Sequence, residues 1–204
     1  MVPMTTRPSL LLAAFPPELA GMDIHPPPGW RVGCTGVGAL TAAVTTARLL
    51  TALTPRRVLF VGTCGAYDQR LAVGDLFRAS DALAISMDVL EGRAYRPETE
   101  VHRWPATLAA VLPIPFPALS VAVPPGITRT PEGAERLSAF AAAEHLELTG
   151  VFAACHEAGI PCGAALAVAN QVGPEAHDQW RVNHERVSRA LMEALKRHGV
   201  FEAP

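Results

Sequence analysis

The chain has 204 residues, of which 50% are hydrophobic and 18% are charged, so it can bury the core of one domain and is too apolar for a disordered protein. Its formal net charge of −2 gives no reason to expect nucleic acid or an anionic membrane surface as a partner. The composition shows no repeat, linker or low-complexity segment, which predicts a single domain over residues 1–204.

Neither a leader nor a membrane span is expected from the hydropathy pattern. The apolar run over residues 10–14 is too short for the core of a signal peptide and leads directly into Pro16. No apolar run reaches the roughly 18 residues that a membrane-spanning helix needs. We therefore expect a cytoplasmic protein.

Apolar runs typical of strands alternate along the chain with segments of helical spacing. The predicted strands cover residues 10–15, 30–34, 58–61, 76–85, 118–123 and 163–169. The predicted helices cover residues 40–53, 131–142, 147–158 and 177–198. Leu40 in the first helix and Val182 in the last are expected on the buried faces. This alternation predicts an α/β protein in which a sheet lies between two layers of helices.

The most informative segment is VLFVGTCGAYDQRLAVGDLF, residues 58–77. Its first four residues are apolar and the run stops at Gly62, as expected for a central strand that is buried on both faces. Gly62 and Gly65 bracket Thr63 and Cys64 in a predicted elbow, where the backbone can approach a ligand closely. Because ligands bind at the carboxyl ends of strands in open α/β sheets, we expect this elbow to border the main polar-lined pocket.

The elbow and the Val-Gly-Asp that follows at residues 73–75 resemble the Gly-(Ser/Thr)-(Cys/Ala)-Gly signature of the nucleoside phosphorylase and nucleosidase superfamily. That superfamily includes purine nucleoside phosphorylases, methylthioadenosine/adenosylhomocysteine nucleosidases and futalosine hydrolases. The resemblance implies a three-layer α/β/α sandwich with a central mixed sheet. It also implies a homo-oligomer that binds a small-molecule purine nucleoside, without cofactor or metal, and in which Thr63, Cys64 and Gly65 contact the substrate.

Residues 143–155, AEHLELTGVFAAC, resemble the helix start at which the superfamily places Met-Glu-(Gly/Ala). Leu146 and Glu147 fall on the Met-Glu pair, and Leu148 follows in place of the small residue. The resemblance implies that Leu146 and Glu147 contact the substrate and that Glu147 accepts hydrogen bonds from the ribose hydroxyls, a role that suits a carboxylate. The alternative is a carboxylate that is favoured at a helix N-terminus by the macrodipole.

Residues 167–180, AVANQVGPEAHDQW, resemble the strand end at which the superfamily places Ser-Asp or Ser-Asn, whose second residue meets the purine N7. Asn170 holds that place. Its amide N–H suits a 6-oxopurine, whereas adenine-directed members carry Asp. The Asn-x-Val-Gly…Trp run is most similar to futalosine hydrolases, which release hypoxanthine. The alternative for Asn170 is an ordinary turn after the strand. Trp180 could line the purine pocket or cap the core, and we expect it to cap the core.

Nucleosidases of this superfamily carry a glutamate after the first strand that orients or deprotonates the attacking water, and Glu18 falls at that position. The alternative is a solvent-exposed loop carboxylate. Phosphorylases instead need cations for phosphate, typically arginines in the first loop. The loop over residues 15–21 contains no Arg, which favours hydrolysis, although Arg93, Arg129 or an arginine of a partner subunit could still reach the site.

The cysteine and histidine spacing does not predict a metal site. The four cysteines include no CxxC pair, and His145 and His156 lie eleven residues apart. We expect reduced and mostly buried thiols.

The resemblance therefore implies an N-ribosyl hydrolase, nearest to the futalosine hydrolases of menaquinone biosynthesis, with Glu18 and Asn170 as catalytic residues. Two enzyme alternatives differ in the base or the nucleophile: a methylthioadenosine/adenosylhomocysteine nucleosidase and a purine nucleoside phosphorylase. A third alternative belongs to another class, a homologue that binds a nucleoside without turnover. The altered Leu146-Glu147-Leu148 motif is the feature that favours it.

Overall fold

The structure, a computed structural model, describes residues 7–68, 70–110, 112 and 114–202. The ends of the predicted domain, residues 1–6 and 203–204, lie outside the described residues. The strands are β1 (Ser9–Ala13), β2 (Trp30–Cys34), β3 (Arg57–Ala66), β4 (Leu76–Ala84), β5 (Arg103–Pro105), β6 (Ala118–Val123), β7 (Ala143–Glu144) and β8 (Cys162–Gln171). The helices are α1 (Ala39–Leu53), α2 (Met87–Leu90), α3 (Pro131–Ser138), α4 (Leu148–Glu157) and α5 (Ala176–Arg197).

The strands pair into one mixed sheet. β2, β1, β3 and β8 lie side by side and run parallel. β4 pairs antiparallel with β8 and β5 and parallel with β6, while β7 joins β6 to the carboxyl end of β3. As a result β3, β8, β4, β6 and β7 form a closed ring of strands. The mixed sheet confirms the predicted fold class.

The helices cover the sheet on both faces, because alternate residues of its central strands point to opposite sides. Leu10 and Phe60 pack in the core formed with α1 and α4, whereas the adjacent Leu11 and Leu59 pack in the core formed with α5. All four of these side chains are fully buried. The predicted three-layer arrangement is therefore confirmed.

Two residues expected on buried helix faces are exposed instead. Leu40 and Val182 are each 80% exposed. α1 buries the face of Ala42 and Leu50 instead of the face of Leu40. In α5 the buried residues Leu195, Leu191 and Val187 are spaced four residues apart. The same spacing, continued towards the N-terminus, reaches residue 183 and not residue 182.

The predicted elbow at Gly62–Gly65 is wrong as a description of the backbone. β3 continues without interruption to Ala66, because β8 and β7 both hydrogen-bond to its carboxyl end. The pairing with β8 shifts register between Cys64 and Gly65, so the irregularity is a bulge inside a strand. The helix predicted over residues 131–142 ends earlier than expected, at Ser138, since residues 143–144 form β7.

None of the helices in the described ranges combines the length and apolarity that a membrane span requires.

Candidate active site

A cavity of about 420 Å³ opens at the carboxyl ends of β1, β3 and β8. It is lined by all seven residues that the sequence singled out for the site: Glu18, Thr63, Cys64, Gly65, Leu146, Glu147 and Asn170. The lining also contains Glu144, His145 and an apolar rim that includes Phe15, Val37, Ile127 and Trp180. The fold thus brings together segments that are far apart in sequence, such as those of Glu18 and Asn170, which are 152 residues apart.

Glu18 lies in a 3-10 turn, Pro16–Leu19, directly after β1, and is only 2% exposed. The exposed-carboxylate alternative is therefore wrong. Its Oε1 accepts hydrogen bonds from the backbone N–H and the hydroxyl of Thr63, each at 2.8 Å, and its Oε2 accepts the Ala14 N–H at 3.1 Å. Burial outweighs these three donors and raises the pKa of Glu18 from 4.5 to about 7. The carboxyl group consequently exchanges its proton near neutral pH.

Thr63 connects Glu18 to an aromatic wall. The indole N–H of Trp180 donates to the Thr63 hydroxyl at 3.0 Å, and that hydroxyl in turn donates to Glu18. Trp180 is only partly buried and stacks on His184 with ring centroids 4.3 Å apart. Trp180 packs against the core formed with α5, as expected, and its indole also lines the cavity and fixes the direction of the Thr63 hydroxyl.

The two glycines of β3 leave space that side chains from other segments occupy. A Cβ at Gly62 would lie 3.1 Å from Nε2 of His145 and 3.4 Å from Oε1 of Glu18. A Cβ at Gly65 would lie only 2.8 Å from the side-chain nitrogen of Asn170. Between them, the Cys64 thiol donates to the Ala167 carbonyl at 3.6 Å, and burial raises the pKa of this thiol far above its usual range. Cys64 is therefore a protonated thiol.

Glu147 immediately precedes α4 and is buried, and its carboxylate reaches the start of a different helix. Its Oε1 accepts the N–H of Gly38, at the beginning of α1, at 2.8 Å. Its own backbone N–H donates to Nδ1 of His145 at 3.1 Å, and its Oε2 lies 3.0 Å from the same nitrogen. Burial lowers the pKa of His145, and the Glu147 carboxylate opposes this shift. Glu147 thus holds α1, α4 and His145 around one carboxylate.

Asn170 lies within β8 and pairs in register with Gly65, so the alternative of an Asn in a turn after the strand is wrong. One N–H of its side-chain amide donates to the Gln171 carbonyl at 3.0 Å. Within the described part of the chain this is the one hydrogen bond that the amide nitrogen donates, so its second N–H is available to a ligand, since a primary amide carries two donors.

Glu144 and His145 line the cavity but were not predicted as site residues. Glu144 accepts hydrogen bonds from the Tyr67 hydroxyl at 3.2 Å and from the Thr128 N–H at 3.1 Å, and burial raises its pKa. The available signal was position alone, because both residues directly precede the Leu146-Glu147 pair. A strand of two residues is too short to show periodicity.

The cavity lining contains no Arg or Lys among the described residues. Arg93 is paired with Asp88 at 2.7 Å and with Glu91, and Arg129 lines a separate surface depression. Over the described ranges, no group of three or more His, Cys, Asp or Glu residues is arranged to hold a metal ion.

Comparison with known proteins identifies the family of this chain. The sequence profile of the phosphorylase superfamily matches residues 31–199, which is most of the chain. The chain therefore belongs to the phosphorylase superfamily. A search of curated protein sequences finds no match.

Several solved structures share the fold. The 5′-methylthioadenosine/S-adenosylhomocysteine nucleosidase of Helicobacter pylori, solved with butyl-thio-DADMe-Immucillin-A, superposes with a TM-score of 0.80 at 17% identity, covering 95% of this chain and 97% of that one. A mutant of futalosine hydrolase from Helicobacter pylori strain 26695 superposes with a TM-score of 0.78 at 18% identity, covering 94% and 97%. The S-adenosylhomocysteine nucleosidase of Streptococcus pyogenes, in complex with 5-methylthiotubericidin, gives 0.77 at 17% identity, covering 95% and 96%.

Proposed function

We propose that this chain is a cytoplasmic nucleosidase that hydrolyses the N-ribosidic bond of a 6-oxopurine nucleoside. The observation that carries the proposal is the buried Glu18 carboxyl group, whose pKa of about 7 allows it to accept a proton near neutral pH. It shares one cavity with Glu147 and Asn170, which suit the sugar and the base. Membership of the phosphorylase superfamily and a fold shared with nucleosidases support the same reaction class.

Each polar group has a defined role in this reaction. Ionised Glu18 accepts a proton from water as the water oxygen bonds to C1′ of the ribose. The bond from C1′ to the base nitrogen breaks, and its electron pair leaves with the base, which then takes up a proton. Asn170 donates to O6 or N7 and stabilises the charge that develops on the base, while Glu147 accepts hydrogen bonds from the ribose hydroxyls. Contributions of these kinds are each worth roughly 3–5 kcal/mol.

The remaining lining residues shape the pocket. Gly65 leaves room for the base beside Asn170, because any side chain there would collide with the amide. Thr63 holds Glu18 in place, and the protonated thiol of Cys64 and the side chain of Leu146 supply uncharged surface for the nucleoside.

Water is the proposed nucleophile because the described lining offers no Arg or Lys side chain for phosphate. A phosphate dianion needs charge-assisted donors to bind well, whereas a water molecule needs only polar partners. Arg93, which could have filled this role, is held by Asp88 and Glu91.

The proposed substrate is a futalosine-like nucleoside that yields hypoxanthine, as in menaquinone biosynthesis. Asn170 supports this choice, since its amide donates to the base. A methylthioadenosine/adenosylhomocysteine nucleosidase is the second candidate, because the Helicobacter pylori enzyme of that type gives the TM-score of 0.80.

We also propose a homo-oligomer with the cavity near the subunit interface. Val37 and Ile127 line the cavity although they are 60% and 53% exposed. Leu40 and Val44 extend the same exposed apolar surface along α1. A second copy of the chain would cover this surface and close the open side of the cavity. Light scattering at micromolar concentration tests the proposal, and a monomer would contradict it.

The reaction is tested by incubating the protein with inosine, futalosine, adenosine and methylthioadenosine and measuring the free base, with and without phosphate. We expect hypoxanthine from inosine-type substrates at a rate that phosphate does not change. Strict phosphate dependence would identify a phosphorylase, and adenine release alone would identify the second candidate. Binding of nucleosides without any release of base would identify a homologue that has lost turnover.

A further inference from the structure

Glu144 and Asn170 lie in one row across the sheet, with Gly65 between them. Gly65 pairs in register with Glu144 of β7 on one side and with Asn170 of β8 on the other. Residues that pair directly across strands project to the same face. Two strand spacings separate the backbones of Glu144 and Asn170 by about 10 Å. The missing side chain of Gly65 leaves the space between them open to the cavity that both line.

The carboxylate of Glu144 is held as a hydrogen-bond acceptor. The Tyr67 hydroxyl donates to one oxygen and the Thr128 N–H donates to the other. No ion pair of Glu144 with Lys, Arg or His occurs among the described residues. A carboxylate can accept about four hydrogen bonds, so it retains capacity for a donor on a ligand. A buried acidic group with two neutral donors and no cation points to such a donor.

The two side chains together match one edge of a 6-oxopurine. This base presents O6 as an acceptor and N1–H as a donor, whereas adenine presents a 6-amino donor and an N1 acceptor. The free N–H of Asn170 can donate to O6 or N7. The donor at N1 then requires an acceptor, and a carboxylate provides one, while the N1 lone pair of adenine would face the same carboxylate unfavourably.

We propose that Glu144 is a specificity-determining residue of this site, which accepts the N1–H of a 6-oxopurine and disfavours adenine. The assignment rests on the proposed nucleosidase function only for the position of the base. It concerns recognition, so it can be measured by binding of the free base as well as by turnover.

The test compares wild type with Glu144→Gln, and uses Glu135→Gln, an exposed position on α3, as a control that removes the same charge. Dissociation constants for hypoxanthine and adenine are measured by calorimetry, and kcat/KM is measured for inosine and adenosine. Loss of a hydrogen bond to a charged acceptor corresponds to about a 10- to 100-fold effect. We expect the preference for hypoxanthine over adenine to fall by that factor in Glu144→Gln and to stay unchanged in Glu135→Gln.

A purely structural role of Glu144 gives a different result. If the residue only anchors Thr128, the Gln variant should weaken both bases equally, and an unchanged preference would overturn the inference. Failure of wild type to bind either base would overturn it as well. If Glu144→Gln does not fold, Glu144→Asp keeps the charge but shortens the reach, and it should lower hypoxanthine affinity about tenfold with little change for adenine.

The readouts separate the two proposals. Inosine hydrolysis with an unchanged base preference in Glu144→Gln would leave the nucleosidase function standing and remove Glu144 from base recognition. A shifted base preference in a protein that hydrolyses no nucleoside would support Glu144 and contradict the proposed activity.

Discussion

Glu18 should make activity and stability respond to pH in opposite directions. Its pKa in the folded protein is about 7, against an ordinary value of 4.5, so ionising it in its buried site is unfavourable. Because the pKa is higher in the folded protein than in the unfolded chain, the contribution of Glu18 to the free energy of unfolding is fully present below pH 4.5. This contribution is lost as the pH rises through 7. The difference of about 2.5 pH units corresponds to about 3.4 kcal/mol, of which about 2.5 kcal/mol falls between roughly pH 5 and pH 8. Activity needs the ionised form and should rise over the same range.

Urea unfolding of wild type and Glu18→Gln at these two pH values isolates this contribution, because other titrating groups are common to both proteins. Wild type should lose about 2.5 kcal/mol more than the variant on going from about pH 5 to pH 8. The kcat/KM of wild type should fall on the acid side with an apparent pKa near 7. Turnover of Glu18→Gln should be roughly 10²–10⁴-fold lower and lack this limb. An identical pH dependence of unfolding in both proteins would refute the reasoning.

Three further substitutions test the remaining contacts. Asn170→Asp should shift the base preference from hypoxanthine towards adenine, measured as the ratio of kcat/KM for inosine and adenosine; an unchanged ratio would remove Asn170 from base recognition. Glu147→Gln should lower kcat by roughly 10²–10⁴-fold on any nucleoside with intact ribose hydroxyls, and a variant with near-normal kcat would contradict its role at the sugar. Gly150→Ala should destabilise the protein by about 3 kcal/mol, since its Cβ would lie 2.0 Å from the Ala39 carbonyl oxygen and push α1 away from α4. Gly126→Ala, where nothing lies within 4 Å of the new Cβ, is the control in thermal unfolding.

The sequence allowed the centre of each main strand and helix to be predicted, because apolar runs and helical spacing are local properties. The carboxyl end of β3 could not be predicted in the same way. Thr63 and Cys64 are flanked by glycines, which indicate a turn, yet β7 and β8 hold this segment extended. The partner strand β7 has only two residues and carries no periodic pattern. Contacts that are remote in sequence therefore decided this part of the sheet.

In the site, too, some features could be predicted from the sequence, whereas others depend on contacts between residues that are remote in sequence. Glu18 was predicted from the resemblance to nucleosidases that carry a glutamate after the first strand, but its hydrogen bonds from Thr63, 45 residues further along the chain, could not be predicted from local pattern. Trp180 is a large aromatic residue near the start of a helix, and sequence alone favoured the core for it. It does pack against the core on the α5 side, but its indole N–H also donates to Thr63 at the cavity wall, a contact that no local pattern indicated. Glu144 and His145 lacked any pattern of their own.

The closed ring of strands is weakest at β7. Four of its five members have between six and ten residues, whereas β7 contributes only Ala143 and Glu144. The ring can open at β7 with the loss of few backbone hydrogen bonds, so the amides of β7 should exchange with solvent faster than those of β3 or β8. β7 is followed closely in sequence by Leu146 and Glu147. A nucleoside that contacts these residues would stabilise the shortest strand of the ring. Slower amide exchange at residues 143–147 would then indicate that the cavity is occupied.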